Sequence, residues 1–223
     1  MNDMSAARTN MVNSQVATNK VTEKKILAAM LDIPREQFLP ASQQAAAYID
    51  QDVIIDEQNE DGPERYLMEP MPFARLLQAA DISPSDDVLD IGCGTGYSAA
   101  VIGSLASSVI ALESHGKLAD TAAENLSDLS IDNAVIITGP LAKGYPDEGP
   151  YDVIIIEGAV DFIPEILFDQ LKAGGRLATI VKEEMIGHAT VYTKTATGIT
   201  SRIIFDANVK CLPGFEAGRK FKF

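Results

Sequence analysis

Three glycines and two carboxylates carry the chemistry that can be read from these 223 residues. Gly92, Gly94 and Gly96 stand at alternate positions, directly after the strand-like run Val88-Leu89-Asp90-Ile91 and before the small-residue helical stretch Tyr97-Ser98-Ala99-Ala100. Gly92 allows a sharp turn, Gly94 allows the backbone to approach a ligand closely, and Gly96 opens a helix whose free N–H groups face the same pocket. Cys93, between two of them, matters more for its backbone than for its sulfur. Such a turn cradles a nucleotide, and three details narrow which one.

A dinucleotide-binding turn places its third small residue three positions after the second glycine, and that position is Tyr97 here. Asp90, two residues before the first glycine, puts a carboxylate where a phosphate would be repelled and an ammonium would be welcomed. Val109-Ile110-Ala111-Leu112-Glu113 reads as a second buried strand ending in an acid about 20 residues beyond the first glycine, where a carboxylate takes both ribose hydroxyls. An adenosine carrying an ammonium fits all three, and S-adenosylmethionine is that molecule. Ser114 follows Glu113 on the adenosine side, and Tyr97 packs over the methionine end or covers the helix start. The plainer readings are a helix-capping role for Asp90 and a surface position for Glu113. His115 reads as an exposed loop histidine, and His188, without a partner in sequence, as structural.

The elements that must position these groups alternate along the chain. Loose helical spacing runs from Val12 to Leu31, with a start near Thr22, and is ended by Ile33-Pro34. A short element over 36–48 precedes an acidic stretch in which Asp50, Asp52, Asp56, Glu57, Glu60, Asp61 and Glu64 surround Val53-Ile54-Ile55. That stretch reads as a solvated charged loop, with Asn59 to Pro63 at its tip. A helix over 73–80 leads through the turn Ser83-Pro84-Ser85-Asp86 into the first strand. Helices over 97–105, 117–129 and 163–171 alternate with strands over 109–112, 135–138, 151–157 and 177–181. The continuous apolar run of the 151–157 strand places it inside a sheet covered on both faces. Period-two stretches over 188–209, with a turn at Thr197-Gly198, make an antiparallel hairpin on the sheet edge.

The fold expected is therefore α/β: a doubly wound, mostly parallel seven-stranded Rossmann-like methyltransferase sheet, with an N-terminal helical extension and an antiparallel C-terminal edge. Residues 1–66 form the extension and an acidic lid segment, and residues 67–223 the S-adenosylmethionine-binding domain. A composition 46 % hydrophobic suits one substantial core. The net charge of −14 excludes an electrostatic grip on nucleic acid. Two cysteines make neither a disulfide framework nor a zinc spacing, so no metal is expected. No run of 18 apolar residues or secretory leader is present, which points to a cytoplasmic protein that does not enter a membrane.

Nearly the whole chain resembles the protein-L-isoaspartate O-methyltransferase family. The matching pieces include Met11-Val12 to Gln15, Ile33-Pro34-Arg35-Glu36-Gln37-Phe38-Leu39-Pro40, Ala47-Tyr48-Ile49-Asp50, the glycine turn through Ala100, Gly149-Pro150-Tyr151-Asp152-Val153-Ile154, Ile163-Pro164 to Leu167, and Gln170-Leu171-Lys172-Ala173-Gly174-Gly175-Arg176-Leu177. The resemblance implies methyl transfer from S-adenosylmethionine to the free α-carboxylate of an isoaspartyl residue, with a protein or peptide as acceptor. A carboxylate is already ionised, so alignment and desolvation supply most of the rate and no general base is needed.

Three departures stand out. The resemblance implies a serine two positions before Pro70, where this chain has Met68, followed by Glu69. It implies an acid for the adenine amino group at Pro140, so adenine falls to backbone groups, such as those near Leu141, or to another side chain. It implies small residues after the fourth strand, where this chain has Glu157 before Gly158. Glu157 and Glu69 would make the acceptor pocket acidic and repel a carboxylate, unless Glu157 points to solvent or caps a helix. Methyl transfer to another acceptor, or a non-catalytic S-adenosylmethionine-binding role, are the alternatives that follow. The oligomeric state is not set by the sequence.

Overall fold

A computed structural model describes residues 4–56 and 63–217. Its centre is a seven-stranded sheet in the order β5-β4-β3-β6-β7-β8-β9. The strands are β3 (Asp87–Ile91), β4 (Ser108–Glu113), β5 (Ala134–Thr138), β6 (Tyr151–Val160), β7 (Leu171–Glu183), β8 (Ile186–Thr195) and β9 (Gly198–Asp206). β3 to β7 pair in parallel, and β8 and β9 add an antiparallel hairpin at the edge. Two short strands, β1 (Val53–Ile54) and β2 (Tyr66–Leu67), pair antiparallel in a separate strap.

The apolar alternation sorts onto two faces. Val88, Val109, Val153, Ile155 and Ile180 belong to one buried cluster, together with Met11, Ile26, Met30, Phe73 and Leu77. Leu89, Ile91, Leu112, Ile154, Ile156 and Leu177 belong to the other, closed by Leu167, Leu212 and Phe215. Because both faces are covered, β6 carries an unbroken apolar run, as its sequence implied. The N-terminal residues share the first cluster with the sheet, so the extension is bonded into the main core.

The helices are α1 (Met4–Met11), α2 (Lys24–Asp32), α3 (Pro70–Ala80), α4 (Tyr97–Gly103), α5 (Gly116–Asp128) and α6 (Glu165–Asp169). The single helical stretch expected over 12–31 is divided. α1 runs on through a wider turn over Val12–Val16, and Lys20 adopts a left-handed conformation (φ 68°) before α2. α3 begins at Pro70, whose missing N–H costs nothing in a first turn.

Two elements differ in length from expectation. α6 covers only 165–169, because the Gln170 side chain turns back to bond Tyr145 N and Lys143 O, both at 2.8 Å. β7 begins at Leu171 rather than after the glycines. Its pairing with β6 shifts register between Tyr151 and Val153, where a Cβ on Gly175 would lie 2.9 Å from Lys172 O. The expected loop tip over 59–62, with Glu57, lies outside the described residues.

The chain leaves β3 toward β4 and β5 on one side, then returns to β6 on the other. The C-terminal ends of β3, β4 and β6 therefore flank the switch point where open α/β sheets bind ligands. Asp90, Glu113 and Glu157 sit at those three strand ends or close to them.

Candidate functional site

The glycine turn forms as its spacing requires. Gly92 and Gly94 adopt φ values of +86° and +57°, which side-chain-bearing residues rarely take. Gly92 N donates to Leu112 O (2.7 Å) and Gly96 N to Cys93 O (2.9 Å), which ties the turn to the end of β4. Cys93 is buried, and burial pushes its thiol well above the ordinary range, with Asp90 and Glu113 adding to the effect.

Asp90 is fully buried. Ser98 Oγ donates to its Oδ2 at 2.6 Å, while Oδ1 has no hydrogen-bond partner among the described residues. Burial raises its pKa to about 7; the Ser98 bond opposes the rise and the charge of Glu113 adds to it. Leaving a buried polar atom unpartnered costs about 1–3 kcal/mol, so such an atom at a strand end points to a ligand.

Glu113 is equally buried, but it is not free. Its Oε1 accepts from Ser114 N (2.7 Å) and His115 N (2.9 Å), and its Oε2 from Gly94 N (2.9 Å). The Arg65 guanidinium then grips both oxygens, Nη1 on Oε1 and Nη2 on Oε2 at 2.7 Å. The surface reading of Glu113 is thereby corrected. Ser114 is exposed, its hydroxyl 3.3 Å from Glu113 Oε1. His115 is part-buried near Asp56, rather than a free loop histidine.

Beside the turn lies a narrow recess, lined by Gly92, Cys93 and Ser98 on one wall and by Arg35, Met68, Phe73, Tyr97 and Glu157 on the others. Tyr97 is buried between Phe38 and Phe73, with ring centroids at 5.5 and 5.6 Å. Arg35, a residue the sequence reading did not single out as a site residue, lies over that ring 4.9 Å from its centroid. It is fully buried and donates Nε to Ala47 O (2.8 Å) and Nη2 to Met68 O (2.7 Å). Neither Arg35 Nη1 nor the Tyr97 hydroxyl has a partner of hydrogen-bond geometry among the described residues. Burial lowers the pKa of Arg35 and raises that of Tyr97, each effect opposed by the other residue.

Glu157 is part-buried on β6. It lines this recess and a second one, shared with Asp52, Tyr66, Met68, Gly158 and Lys210. Its Oε1 is enclosed and unpartnered, and burial beside Asp90 holds its pKa well above the carboxylate range despite Arg35. Glu69 lines neither recess. Its backbone N–H donates to Asp52 Oδ1 (2.8 Å), and burial and Asp50 raise its carboxyl to about 7. Pro70 is buried in the first turn of α3. Leu141 is buried in the second core cluster, so its side chain is committed to packing.

The acidic stretch is less solvated than its composition suggested. Asp52 bonds Glu69 N and Lys210 N (2.9 Å), pinning the strap at two points. Ile55 crosses the turn, where a Cβ on Gly94 would meet its Cδ1 at 2.5 Å.

Comparison with known proteins decides the family. The family model for protein-L-isoaspartate(D-aspartate) O-methyltransferase matches residues 6–210. The chain belongs to the protein-L-isoaspartate O-methyltransferase family. It is 38 % identical over 170 residues to a protein-L-isoaspartate O-methyltransferase of Koribacter versatilis, covering 76 % of this chain and 74 % of that one. It is 36 % identical over 174 residues to that of Methanoculleus marisnigri, covering 78 % and 76 %. A solved protein-L-isoaspartate O-methyltransferase superposes with a TM-score of 0.81 at 26 % identity, over 93 % of this chain and 67 % of that one. A structure from Plasmodium falciparum, described as a putative member in complex with S-adenosyl-L-homocysteine, shares the fold at a TM-score of 0.77 and 21 % identity, over 93 % and 98 %.

The family uses S-adenosylmethionine, and the residues here fit it chemically at two places. Asp90 Oδ1 offers an unpaired acceptor to an ammonium, and the glycine turn offers close backbone approach. At the third, Glu113 has the right chemistry but its acceptor sites are taken by Arg65. Among the described residues, no helix is long and apolar enough to cross a membrane.

Proposed function

We propose that this chain transfers the methyl group of S-adenosylmethionine to the free α-carboxylate of isoaspartyl residues in proteins or peptides, in the cytoplasm. The observation that carries this reading is the buried Arg35–Tyr97 pair, which lines a recess whose opposite wall is the glycine turn; the two groups interact with each other, and neither Arg35 Nη1 nor the Tyr97 hydroxyl meets a carboxylate in hydrogen-bond geometry among the described residues. A buried guanidinium without a carboxylate partner is costly, and an acceptor carboxylate would supply that partner.

S-adenosylmethionine, when bound, supplies an activated methyl group. The chain's own residues do the rest. Asp90 would hold the ammonium, Gly92, Cys93 and Gly94 would line the approach, and Glu113 would take the ribose hydroxyls. Arg35 and Tyr97 would orient the acceptor carboxylate, while Tyr97 and Phe73 exclude water. The acidic wall expected from Glu69 and Glu157 does not argue against a carboxylate acceptor. Glu69 is not among the residues that line the recess, and burial beside Asp90 raises the pKa of Glu157, which favours its neutral form and weakens the repulsion. Glu157 would take over the donor role that Met68 cannot fill. Residues 1–66 would form the wall and lid of a site built on 67–223.

The test is methyl transfer from labelled S-adenosylmethionine to a synthetic isoaspartyl peptide, with the aspartyl isomer as control. Labelling of the isoaspartyl peptide alone is the expected result. No labelling by protein that binds S-adenosylhomocysteine would refute it and turn the fold to another acceptor.

A further inference from the structure

We propose that Arg65 is a latch on the ribose carboxylate: it holds Glu113 with both arms of its guanidinium and must swing away before an adenosine can dock. The inference rests on the S-adenosylmethionine reading above and adds to it a competitor within the chain.

Acceptor capacity carries the argument. A carboxylate offers about four lone-pair sites. Glu113 already accepts five N–H groups: Ser114 N, His115 N, Gly94 N and the two from Arg65. A ribose diol needs two sites, and the three backbone donors belong to the turns that build the pocket. Of the side-chain donors, the Ser114 hydroxyl reaches Oε1 alone, at 3.3 Å, so Arg65 is the one whose departure frees both oxygens. Burial closes the alternatives, because Arg65 is 4 % and Glu113 0 % exposed, which leaves no room for both a guanidinium and a sugar.

Arg65 does not move alone. Its carbonyl accepts from Ile55 N (2.9 Å), and the strands on either side pair Val53 with Leu67 and Ile54 with Tyr66. The strap that carries Arg65 to Glu113 therefore carries Ile55 onto Gly94, where the backbone must approach a ligand. Arg65 Nη2 adds a contact to Gly92 O at 3.3 Å. The two paired strands thus place Arg65 over the ribose carboxylate and Ile55 over the glycine turn, and their displacement together uncovers both. When a site is open only a fraction of the time, apparent affinity falls by that fraction.

Two substitutions and one measurement on the unaltered protein test this. S-adenosylhomocysteine is the probe, because its ammonium and carboxylate leave it uncharged overall and removal of a cation has little long-range effect on it. Arg65→Ala should tighten its binding at least tenfold by titration calorimetry, and lower the melting temperature of the free protein by more than that of the complex. Arg65→Gln, which keeps a hydrogen-bonding side chain, should fall between and serves if the alanine variant does not fold. Lys24→Ala, which removes an exposed cation of α2, should change binding less than twofold. In the unaltered protein, stopped-flow tyrosine fluorescence should show a binding rate that levels off with ligand concentration, limited by latch opening. Unchanged or weaker binding by the Arg65 variants, or a rate that rises linearly to the highest concentrations, would overturn the latch. Binding by neither the unaltered chain nor the variants would instead overturn the cofactor reading beneath it.

Discussion

Lowering the pH from 7 to 6 should weaken S-adenosylhomocysteine binding about fivefold and make binding release nearly one proton. Asp90 carries both effects. Its pKa lies at about 7, raised first by burial, while the Ser98 hydroxyl opposes the rise and Glu113 adds to it. The buried Glu157 carboxyl and Cys93 thiol lie beside Asp90, and burial, with the charge of Asp90 adding to it, raises the pKa of each. A group titrating as Asp90 does is about half ionised at pH 7 and about one-tenth ionised at pH 6, whereas the ligand amine stays protonated throughout this range. An ammonium selects the ionised form, so docking at pH 6 must expel about 0.9 proton. Titration calorimetry at pH 6 in two buffers of different ionisation enthalpy measures that number directly. The same raised pKa has a consequence for stability. The folded protein binds a proton that the unfolded chain releases near pH 4, so Asp90 favours the fold below that pH. This contribution is lost as pH rises toward 7, by an upper bound of about 4 kcal/mol. Asp90→Asn should abolish the proton release, weaken the ligand by about 1.5–3 kcal/mol at pH 7, and leave the free protein no less stable there. Zero proton release from unaltered Asp90 at pH 6 would refute the pairing of this carboxylate with the ammonium.

Further outcomes follow from the same geometry. Asp52→Ala strands Glu69 N and Lys210 N and should lower stability by about 1–3 kcal/mol in thermal unfolding, with Asp52→Asn recovering most of it. Gly94→Ala must hold a side chain at φ +57° against Ile55, and should cost at least about 1–2 kcal/mol in the same assay. Glu157→Gln keeps a neutral hydrogen-bonding group in the recess and should leave kcat/KM on an isoaspartyl peptide within about threefold, whereas Glu157→Ala should raise KM by about tenfold, the worth of one hydrogen bond. Lys172→Met, which removes a bridge from Asp87 to Asp152 between half-exposed side chains, should cost less than about 1 kcal/mol.

What the sequence made legible is what local pattern encodes. The strand before Asp90, the alternate glycines and the helix after Gly96 are consecutive residues whose types leave little choice of backbone. The run Val153-Ile154-Ile155-Ile156 announces a strand buried on both faces. Glu113 could be found because its distance from Gly92 is fixed by one helix and one strand. The hidden features depend on partners far along the chain. His188, read as lacking a partner, finds Asp206 at 2.7 Å only because β8 and β9 pair them in register. Arg65 reads as one cation in an acid-rich loop, yet its partner is 48 residues away and the contact exists only because the strap folds over the turn.

Arg35 is the instructive intermediate case. It stands within Pro34-Arg35-Glu36-Gln37-Phe38-Leu39-Pro40, a segment quoted for its likeness to a family and passed over for its chemistry. A signal was present: a lone cation beside Phe38 and Leu39, bounded by prolines, has few ways to reach water. Once buried, an arginine uses its donors or destabilises the fold. Arg35 Nε and Nη2 close the chain on itself at Ala47 and Met68, and Nη1 has no partner of hydrogen-bond geometry among the described residues. Arg65 answers the same physical demand by taking the chain's own Glu113. One buried guanidinium is thus satisfied from within and must be dislodged by a ligand, while the other has a donor left for one. The order of binding should follow from that difference: the adenosyl ligand has to open the strap, and Met68, the residue that Arg35 Nη2 grips, directly follows the β2 strand of that strap. An acceptor carboxylate should therefore bind measurably only after the adenosyl site is filled, and an isoaspartyl peptide that binds equally well to the free protein would separate the two sites that this geometry couples.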